Sequence, residues 1–501
     1  MSRVDRLNEA NASGHASREA SVGTPLAAES SGSELSDGGL QDGYISGMKD
    51  LLRTTADRAA RYLASLKERS VAPTPEALAN LARLDEPFPE HLTDAASVIA
   101  LLDEVGSPAT IGSAGGRFFG FVVGGSLPAT VAASSLAAAW DQNAGIVALS
   151  PIAARLEEVA MRWLLDVLGL PRAAGVGFVT CATQANFSGL AAARHALLAR
   201  RGWNVETRGL FGAPPITVVV GEEVHVSVLK ALTLVGLGRE RVIRVPVDGQ
   251  GRMRADALPP LDDSTLVCLQ AGNVNTGAFD PAAEIMPRAK AAGAWVHVDG
   301  AFGLWAAAAP DRAHLVQGYA AADSWAIDAH KWLNVPYDSG IVIVRDPRDL
   351  YAAMAVNAPY LVIGETREPE HYTPEFSRRA RGIEVWAALR SLGRQGLADL
   401  IERTCRHATR FADGLREAGY EILNDVVINQ VLVSFGDAEL TRRVIAGIQA
   451  DGTCWAGGTV WQERTAMRIS VSSWATTEDD VERSLAAMLR MAAEVQAAAA
   501  R

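Results

Sequence analysis

Residues 265–346 carry four short apolar runs: TLVCLQAG (265–272), AWVHVDG (294–300), DSWAIDAHK (323–331) and GIVIVRD (340–346). Each has the length and the Val, Ile and Trp content of a buried strand, bounded by Gly, Asp or Asn. Upstream, GVGFVT (175–180) precedes the helical QANFSGLAAARHALLARR, which stops at Gly202, and then come ITVVVG (216–221) and RVIRVP (241–246). Near-continuous apolar strands separated by helical stretches predict an α/β fold with a mostly parallel sheet covered on both faces. In such sheets ligands sit at the carboxyl ends of the strands.

Outward from this centre the pattern changes. From about residue 395 two helical segments flank INQVLVSF (428–435) and AMRISVSS (466–473), and VERSLAAMLRMAAEVQAAA (481–499) follows, which predicts a smaller α+β domain over 396–501. Residues 43–130 read as arm helices and a dimerisation segment, with MKDLLRTTADRAARYLASLKE (48–68) spaced three and four apart and Thr74 as the N-cap of TPEALANLARL. Residues 131–395 are expected to form the large domain. Residues 1–42 are rich in Ser, Gly, Ala and Glu and read as a disordered tail.

The chain has 501 residues, 49% of them hydrophobic and 21% charged, enough to bury a sizeable core without disulfides or metals. Its 47 basic against 58 acidic residues give a net charge of −11, which argues against nucleic acid or an anionic membrane as partner. No apolar run has the length of a membrane helix, and the N-terminus lacks the apolar stretch of a secretory signal. Cys181, Cys268, Cys405 and Cys454 fit no metal or redox spacing, so a reducing cytoplasm and no metal site are expected.

Four polar sites fall at the expected strand ends, each with an ordinary structural alternative. Lys331 follows the strand SWAI; most lysines are solvated, but a partly desolvated one has a lowered pKa and serves as a nucleophile that forms a Schiff base. Asp299 ends WVHVD and is either part of a cap or ion pair or the partner of a protonated ring nitrogen. CATQAN (181–186) joins a strand to a helix, and its free amides with the Thr183 hydroxyl make either a simple cap or a phosphate site. His225 follows ITVVVG and either packs structurally or stacks on a ring and moves protons. Together they supply what pyridoxal phosphate requires.

The chain resembles the group II pyridoxal-phosphate-dependent amino-acid decarboxylases, the family of the aromatic-L-amino-acid, tyrosine, histidine and glutamate decarboxylases. The resemblance runs from about Gly116 to Ser473 and rests on HVDGAFG (297–303), DAHKW (328–332), HVSVLKA (225–231) and NTGAFDP (275–281). It implies fold type I, the aspartate-aminotransferase-like fold of pyridoxal-phosphate enzymes, and a homodimer acting on an amino acid as small-molecule substrate. It also implies that Lys331 bonds the cofactor, Asp299 pairs with its ring nitrogen, Ala301 lies under the ring and His225 stacks above it. Ala182, Thr183 and His330 are then expected at the phosphate. Asp328 stands where many relatives have Asn, and Asn273 where Thr is usual, so their cofactor contacts are left open. Tyr360 in NAPYL matches a loop tyrosine that reprotonates the substrate carbon, and GETREPEHYTPEF (364–376) after it has the polarity of a lid. Arg468 matches an arginine that holds a substrate carboxylate. RFFGFVVGG (117–125) aligns with the substrate-pocket strand, so Phe118, Phe119, Phe121 and Val122 form an expected apolar wall, with Phe121 and Val122 at the substrate. The expected activity is decarboxylation of an aromatic or apolar L-amino acid. An aldehyde synthase, an aminotransferase or lyase on the same fold, and an inactive pyridoxal-phosphate-binding scaffold are the alternatives.

Overall fold

The structure, a computed structural model, describes residues 37–356 and 367–499. The expected tail lies outside the described residues as far as residue 36. From Asp37 the chain is helical, to Ser65, so the last six residues of that stretch are not disordered. Leu40, Tyr44 and Met48 recur there at the four-residue spacing that a helix needs. Residues as far as Ala56 and residues from Asp57 onward form two separate compact units. In the second, Thr74 caps its helix as expected, its side chain accepting a hydrogen bond from the Ala77 amide at 3.2 Å.

The strands are β1 (Gly175–Val179), β2 (Thr217–Gly221), β3 (Ile243–Val245), β4 (Thr265–Gln270), β5 (Trp295–Asp299), β6 (Ser324–Asp328) and β7 (Gly340–Val344). They form one sheet of order β1-β7-β6-β5-β4-β2-β3. All neighbours are parallel except β7, which runs antiparallel to both β1 and β6. The carboxyl ends of β1, β2, β4, β5 and β6 therefore lie along one edge, with the amino end of β7 among them. Register fixes their alignment: Gln270 pairs with Asp299, Asp299 with Ala326, and Asp328 with Gly340. These strands, β2 at its first residue apart, are buried along their whole length, as a sheet covered on both faces requires.

One face packs on the helix Ala182–Ala199, whose small residues Ala185, Gly189, Ala192 and Ala193 let it lie close to the strands. The other face carries the larger core, with Trp305, Trp325 and Trp332 fully buried. A second sheet, antiparallel throughout, has the order β10-β11-β9-β8, from β8 (Glu421–Ile422), β9 (Gln430–Ser434), β10 (Gly457–Trp461) and β11 (Arg464–Ser470). The helix Gly382–Glu417 leads from one sheet to the other and is broken at Gly393 (φ 60°, ψ −176°). Among the described residues no helix is long and apolar enough to cross a membrane, and no group of three metal-ligating side chains converges.

Candidate active site

The edge that gathers the strand ends also gathers the chemistry. A cavity there is lined by His225, Gln270, Gly272, Val274, Asp299, Ala301, Phe302 and Lys331. Lys331 reaches into it from the loop after β6. Its Nζ lies 3.1 Å from Asp328 Oδ2 and 6.0 Å from the centre of the Phe302 ring. The backbone that carries Lys331 is held from outside: a Cβ on Gly124 would stand 1.7 Å from the Lys331 carbonyl oxygen, so only glycine lets the segment Arg117–Gly125 pack there.

Asp299, 5% exposed at the end of β5, accepts three hydrogen bonds. Asn186 Nδ2 and Ser227 Oγ donate to its Oδ2 at 3.1 and 3.2 Å, and the Ala301 amide donates to Oδ1 at 3.2 Å. His225 caps the helix Val226–Leu234. Its Nδ1 lies 2.7 Å from Ser227 Oγ and accepts from the Ser227 amide at 3.2 Å. Burial lowers the pKa of His225, with Lys331 and Arg468 acting in the same direction and Asp299 against them. This imidazole is therefore neutral at pH 7.

The helix Ala182–Ala199 opens at the same edge with no side-chain cap on its first amides. The Ala182 amide instead donates to Asp328 Oδ1 at 2.5 Å. Close approach is possible because β7 begins with Gly340, where a Cβ would come within 2.6 Å of the Cys181 backbone. His330 Nε2 is 3.5 Å from the same Asp328 oxygen, its Nδ1 accepts from the Ser339 amide at 3.1 Å, and its ring stacks on Tyr337 at 4.3 Å.

The residues present fit pyridoxal phosphate by their donor set. The Asp299 carboxylate and a single primary amine, that of Lys331, line the same cavity. Ala301 and Gly272 keep the floor free of bulk, and an uncapped helix start offers amides to an anion. The one misfit is Asp328, whose carboxylate occupies the first of those amides.

The remaining expected residues fall as follows. Asn273 is 1% exposed and turned into its own loop: its Oδ1 accepts from the Asn275 and Thr276 amides at 2.9 and 3.2 Å, and its Nδ2 is buried without a partner. Phe119 is wholly buried against Phe411 in the core of the second sheet, and Val122 belongs to the main core. Phe118 stacks on Trp455 at 5.0 Å, while Phe121 stays 63% exposed beside the same indole. Phe121 and Val122 both have positive φ (54° and 60°), a costly backbone for non-glycine residues that the anchors at Gly124 and Trp455 hold in place. Arg468 lies on β11, donating weakly to Val274 O (3.3 Å) and Asn275 Oδ1 (3.4 Å), and makes no ion pair among the described residues. Burial lowers its pKa.

Tyr360 lies outside the described residues. The stretch expected as a lid differs from that expectation from Arg367 on. Arg367 donates to Val176 O, Glu368 Oε2 accepts from the Val147 amide at 2.6 Å, and Glu370 and Thr373 are buried, so this part is pinned to the edge strand β1. Sequence reading missed Asn186, Ser227, His297 and Gly124. Asn186 stands inside the quoted CATQAN and His297 inside HVDGAFG, but no spacing in the chain says that they meet.

A lysine beyond β6, a carboxylate ending β5 and an uncapped helix after β1, set on this strand order, define a fold type I pyridoxal-phosphate enzyme. The family described as the pyridoxal-dependent decarboxylase conserved domain matches residues 80–436, and the chain belongs to it. It is therefore a pyridoxal-phosphate-dependent lyase of the amino-acid decarboxylase family. It is 29% identical over 379 residues to the L-2,4-diaminobutyrate decarboxylase of Rhizobium meliloti, covering 71% of this chain and 72% of that one. It is 25% identical to the aromatic-L-amino-acid decarboxylase of Bacillus atrophaeus over 86% of this chain and 93% of the relative. Among solved structures, Oryza sativa TDC with PLP and tryptamine superposes with a TM-score of 0.82 at 22% identity, covering 89% of this chain and 98% of that one.

Proposed function

We propose that this protein removes the carboxylate of an aromatic or apolar L-amino acid as carbon dioxide and releases the amine. The observation that carries the reading is the convergence of Lys331, Asp299, His225 and Ala301 on one cavity. When bound, pyridoxal phosphate supplies a protonated aromatic ring that accepts the electron pair left at the substrate's α carbon. The protein's part is to place and protonate. Lys331 would hold the cofactor by its aldehyde carbon and supply the amine that frees the product. Asp299 would keep the ring nitrogen protonated, and Ala301 and His225 would confine the ring. Ala182, Thr183 and His330 would lie at the phosphate end, and Asn273 would approach the cofactor only by turning its side chain out of its own loop. Arg468, half-buried and without an acid partner among the described residues, suits a substrate carboxylate, since a partly desolvated guanidinium gains most from an anion that arrives in fork geometry. Tyr360 is assigned the proton delivered to the α carbon.

The side-chain preference rests on the segment Arg117–Gly125. It is tied at one end to Trp455, where the Phe119 amide donates to Trp455 O at 2.8 Å, and at the other to the Lys331 carbonyl through Gly124. Phe121 stands between the two, exposed, and Val122 backs it. The relatives act by name on both a diamine-bearing and an aromatic amino acid, so the chain's own residues decide. A screen of carbon dioxide release across the amino acids, with cofactor added, is expected to give the highest kcat/KM with an aromatic or branched apolar substrate and the amine as product. Highest turnover with a diamino or acidic substrate would refute the preference. Peroxide release would mark an aldehyde synthase, and dependence on an added 2-oxo acid an aminotransferase. No turnover with cofactor bound would mark a binding scaffold.

Asp328 carries a second prediction. A carboxylate at the phosphate end repels a dianion, and like charges a few ångströms apart cost on the order of kcal/mol at a partly buried site. Asp328→Asn is expected to tighten pyridoxal phosphate about tenfold while leaving pyridoxal, which has no phosphate, unchanged. Fluorescence titration of the apoenzyme measures both, and equal or weaker phosphate-ester binding in the variant would refute the assignment.

Assembly as a homodimer is part of the proposal. Leu78, Leu81, Leu84, Phe88, Leu92, Val98 and Leu102 are all exposed, an apolar stretch that a second copy of the chain would cover. We place residues 131–395 as the cofactor domain and 396–501 as the smaller one, the division falling just past the break at Gly393. A reducing cytoplasm suits the four free cysteines.

A further inference from the structure

Behind Asp299 lies a chain of hydrogen bonds whose direction is set from the carboxylate end. The Trp295 indole N–H can only donate, and it reaches Ser324 Oγ at 3.0 Å. Ser324 Oγ is 2.8 Å from His297 Nδ1, and His297 Nε2 is 2.8 Å from Asn186 Oδ1. Asn186 Nδ2 then donates to Asp299 Oδ2 at 3.1 Å and to Ser227 Oγ at 3.2 Å. A carboxylate that accepts from Asn186 demands the NH2 side of the amide, which turns the amide oxygen to His297. Nε2 must then carry the ring proton. Burial pushes the imidazole's pKa down to about 4, so the neutral ring keeps Nδ1 bare and that nitrogen accepts from the Ser324 hydroxyl. The Trp295 N–H takes one lone pair of Ser324 Oγ, an arrangement that leaves the hydroxyl hydrogen free to donate.

The fold makes room for this chain. His297 and Ser324 are paired across β5 and β6. A Cβ on Gly189 would lie 2.9 Å from His297 Cε1, so glycine in the covering helix is what lets the imidazole reach Asn186. Asn186, His297 and Ser324 are all 0% exposed. His297 does not line the cavity that Lys331 enters, so its place in the chain is not that of a group touching substrate.

We propose that Asn186 and His297 are positioning residues that keep the Asp299 carboxylate ionised, so that a proton shared between it and the cofactor's ring nitrogen rests on the nitrogen. This deepens the assignment of Asp299 made above and rests on it. Hydrogen bonds donated to the charged form of a carboxylate favour that form. Taking away the Asn186 donor makes Asp299 more basic, and the shared proton moves toward the oxygen. His297 acts one step further back. Its N–H holds the amide so that NH2, and not the carbonyl oxygen, faces the carboxylate.

The test uses the holoenzyme loaded with pyridoxal phosphate labelled with nitrogen-15 in the ring, whose chemical shift reports whether that nitrogen is protonated. The wild type is expected to show a protonated nitrogen. Asn186→Leu and His297→Phe are expected to move the protonation equilibrium toward the bare nitrogen by about tenfold or more, with the cofactor still bound. His297→Gln, whose amide N–H reaches the Nε2 position, restores the wild-type shift. Ser324→Ala, which only releases the imidazole tautomer, moves it the same way by less and stands in if His297→Phe does not fold. A nitrogen that stays fully protonated in Asn186→Leu, or in Ser324→Ala when His297→Phe is lost, overturns the inference. Asp299→Asn separates the two levels. If that variant strips the proton and the others do not, only the relay falls; if it too leaves the nitrogen protonated, the assignment of Asp299 itself is what fails.

Discussion

Lys331→Ala is expected to lower kcat/KM at least about a thousandfold, a loss of roughly 4 kcal/mol in transition-state stabilisation. The amine at this position is the primary amine that lines the cavity, and it alone can hold the cofactor's carbonyl carbon and later displace the product. The loss has a second source. Asp328 is 2% exposed, and Lys331 Nζ at 3.1 Å is its cationic partner, with His330 farther off at 3.5 Å and depressed in pKa by burial. Removing the ammonium leaves a buried carboxylate held by one backbone amide, an arrangement that costs more than the pair itself contributed. The variant should therefore also bind pyridoxal phosphate more weakly than Asp328→Asn does. Steady-state kinetics with denaturant unfolding alongside measure both, and retention of activity within tenfold of wild type would remove Lys331 from its role.

Gly124→Ala is expected to be nearly as damaging without touching a single reactive group. An added Cβ would lie 1.7 Å from the Lys331 carbonyl oxygen and 2.8 Å from its carbonyl carbon, both backbone atoms that cannot swing aside. The Lys331 turn is itself held by Asn334, whose Nδ2 donates to Trp332 O at 2.9 Å and to Ser472 O at 3.0 Å. Relief must come from shifting either the Arg117–Gly125 segment or the lysine loop. Overpacking of this kind costs about 3 kcal/mol at the upper end of its usual range. Displacing the lysine adds a loss of cofactor. The expected result is a lower denaturation midpoint together with incomplete cofactor loading, seen in chemical unfolding and in the visible spectrum. An unchanged midpoint with full loading would show that the contact is easily relieved.

The chain declared the parallel part of its fold openly. Val, Ile and Trp runs buried on both faces read as strands because few polar residues interrupt them, and most end in an Asp or Gly that begins a turn. The direction of β7 was harder to see, yet the short link 329–339 argues for it, since a parallel crossover needs a dozen or more residues. The place of β1 beside β7 was not legible, because nothing in a strand's own composition names its neighbour. At the site, Lys331, Asp299 and His225 were visible as polar residues ending apolar runs. His297 was not, because its partner Asn186 is 111 positions away and a histidine inside a strand looks like any packed ring. Asn273 shows the opposite limit. The resemblance put it at a cofactor position with its contact left open, and an asparagine two residues before a free amide turns back to bond its own loop. Phe119 and Val122 likewise went to the core, because the segment turns at the positive-φ pair Phe121 and Val122 and does not run on as a strand.

The most direct measurement is borohydride reduction of the holoenzyme followed by protease digestion and mass mapping of the peptides. A pyridoxyl-phosphate increment on the peptide that contains His330, Lys331 and Trp332, and its absence in Lys331→Ala, is the predicted result. An increment on a different lysine, or none in an enzyme shown to hold its cofactor, would contradict the placement of the cofactor at the ends of β5 and β6 and every role that depends on it.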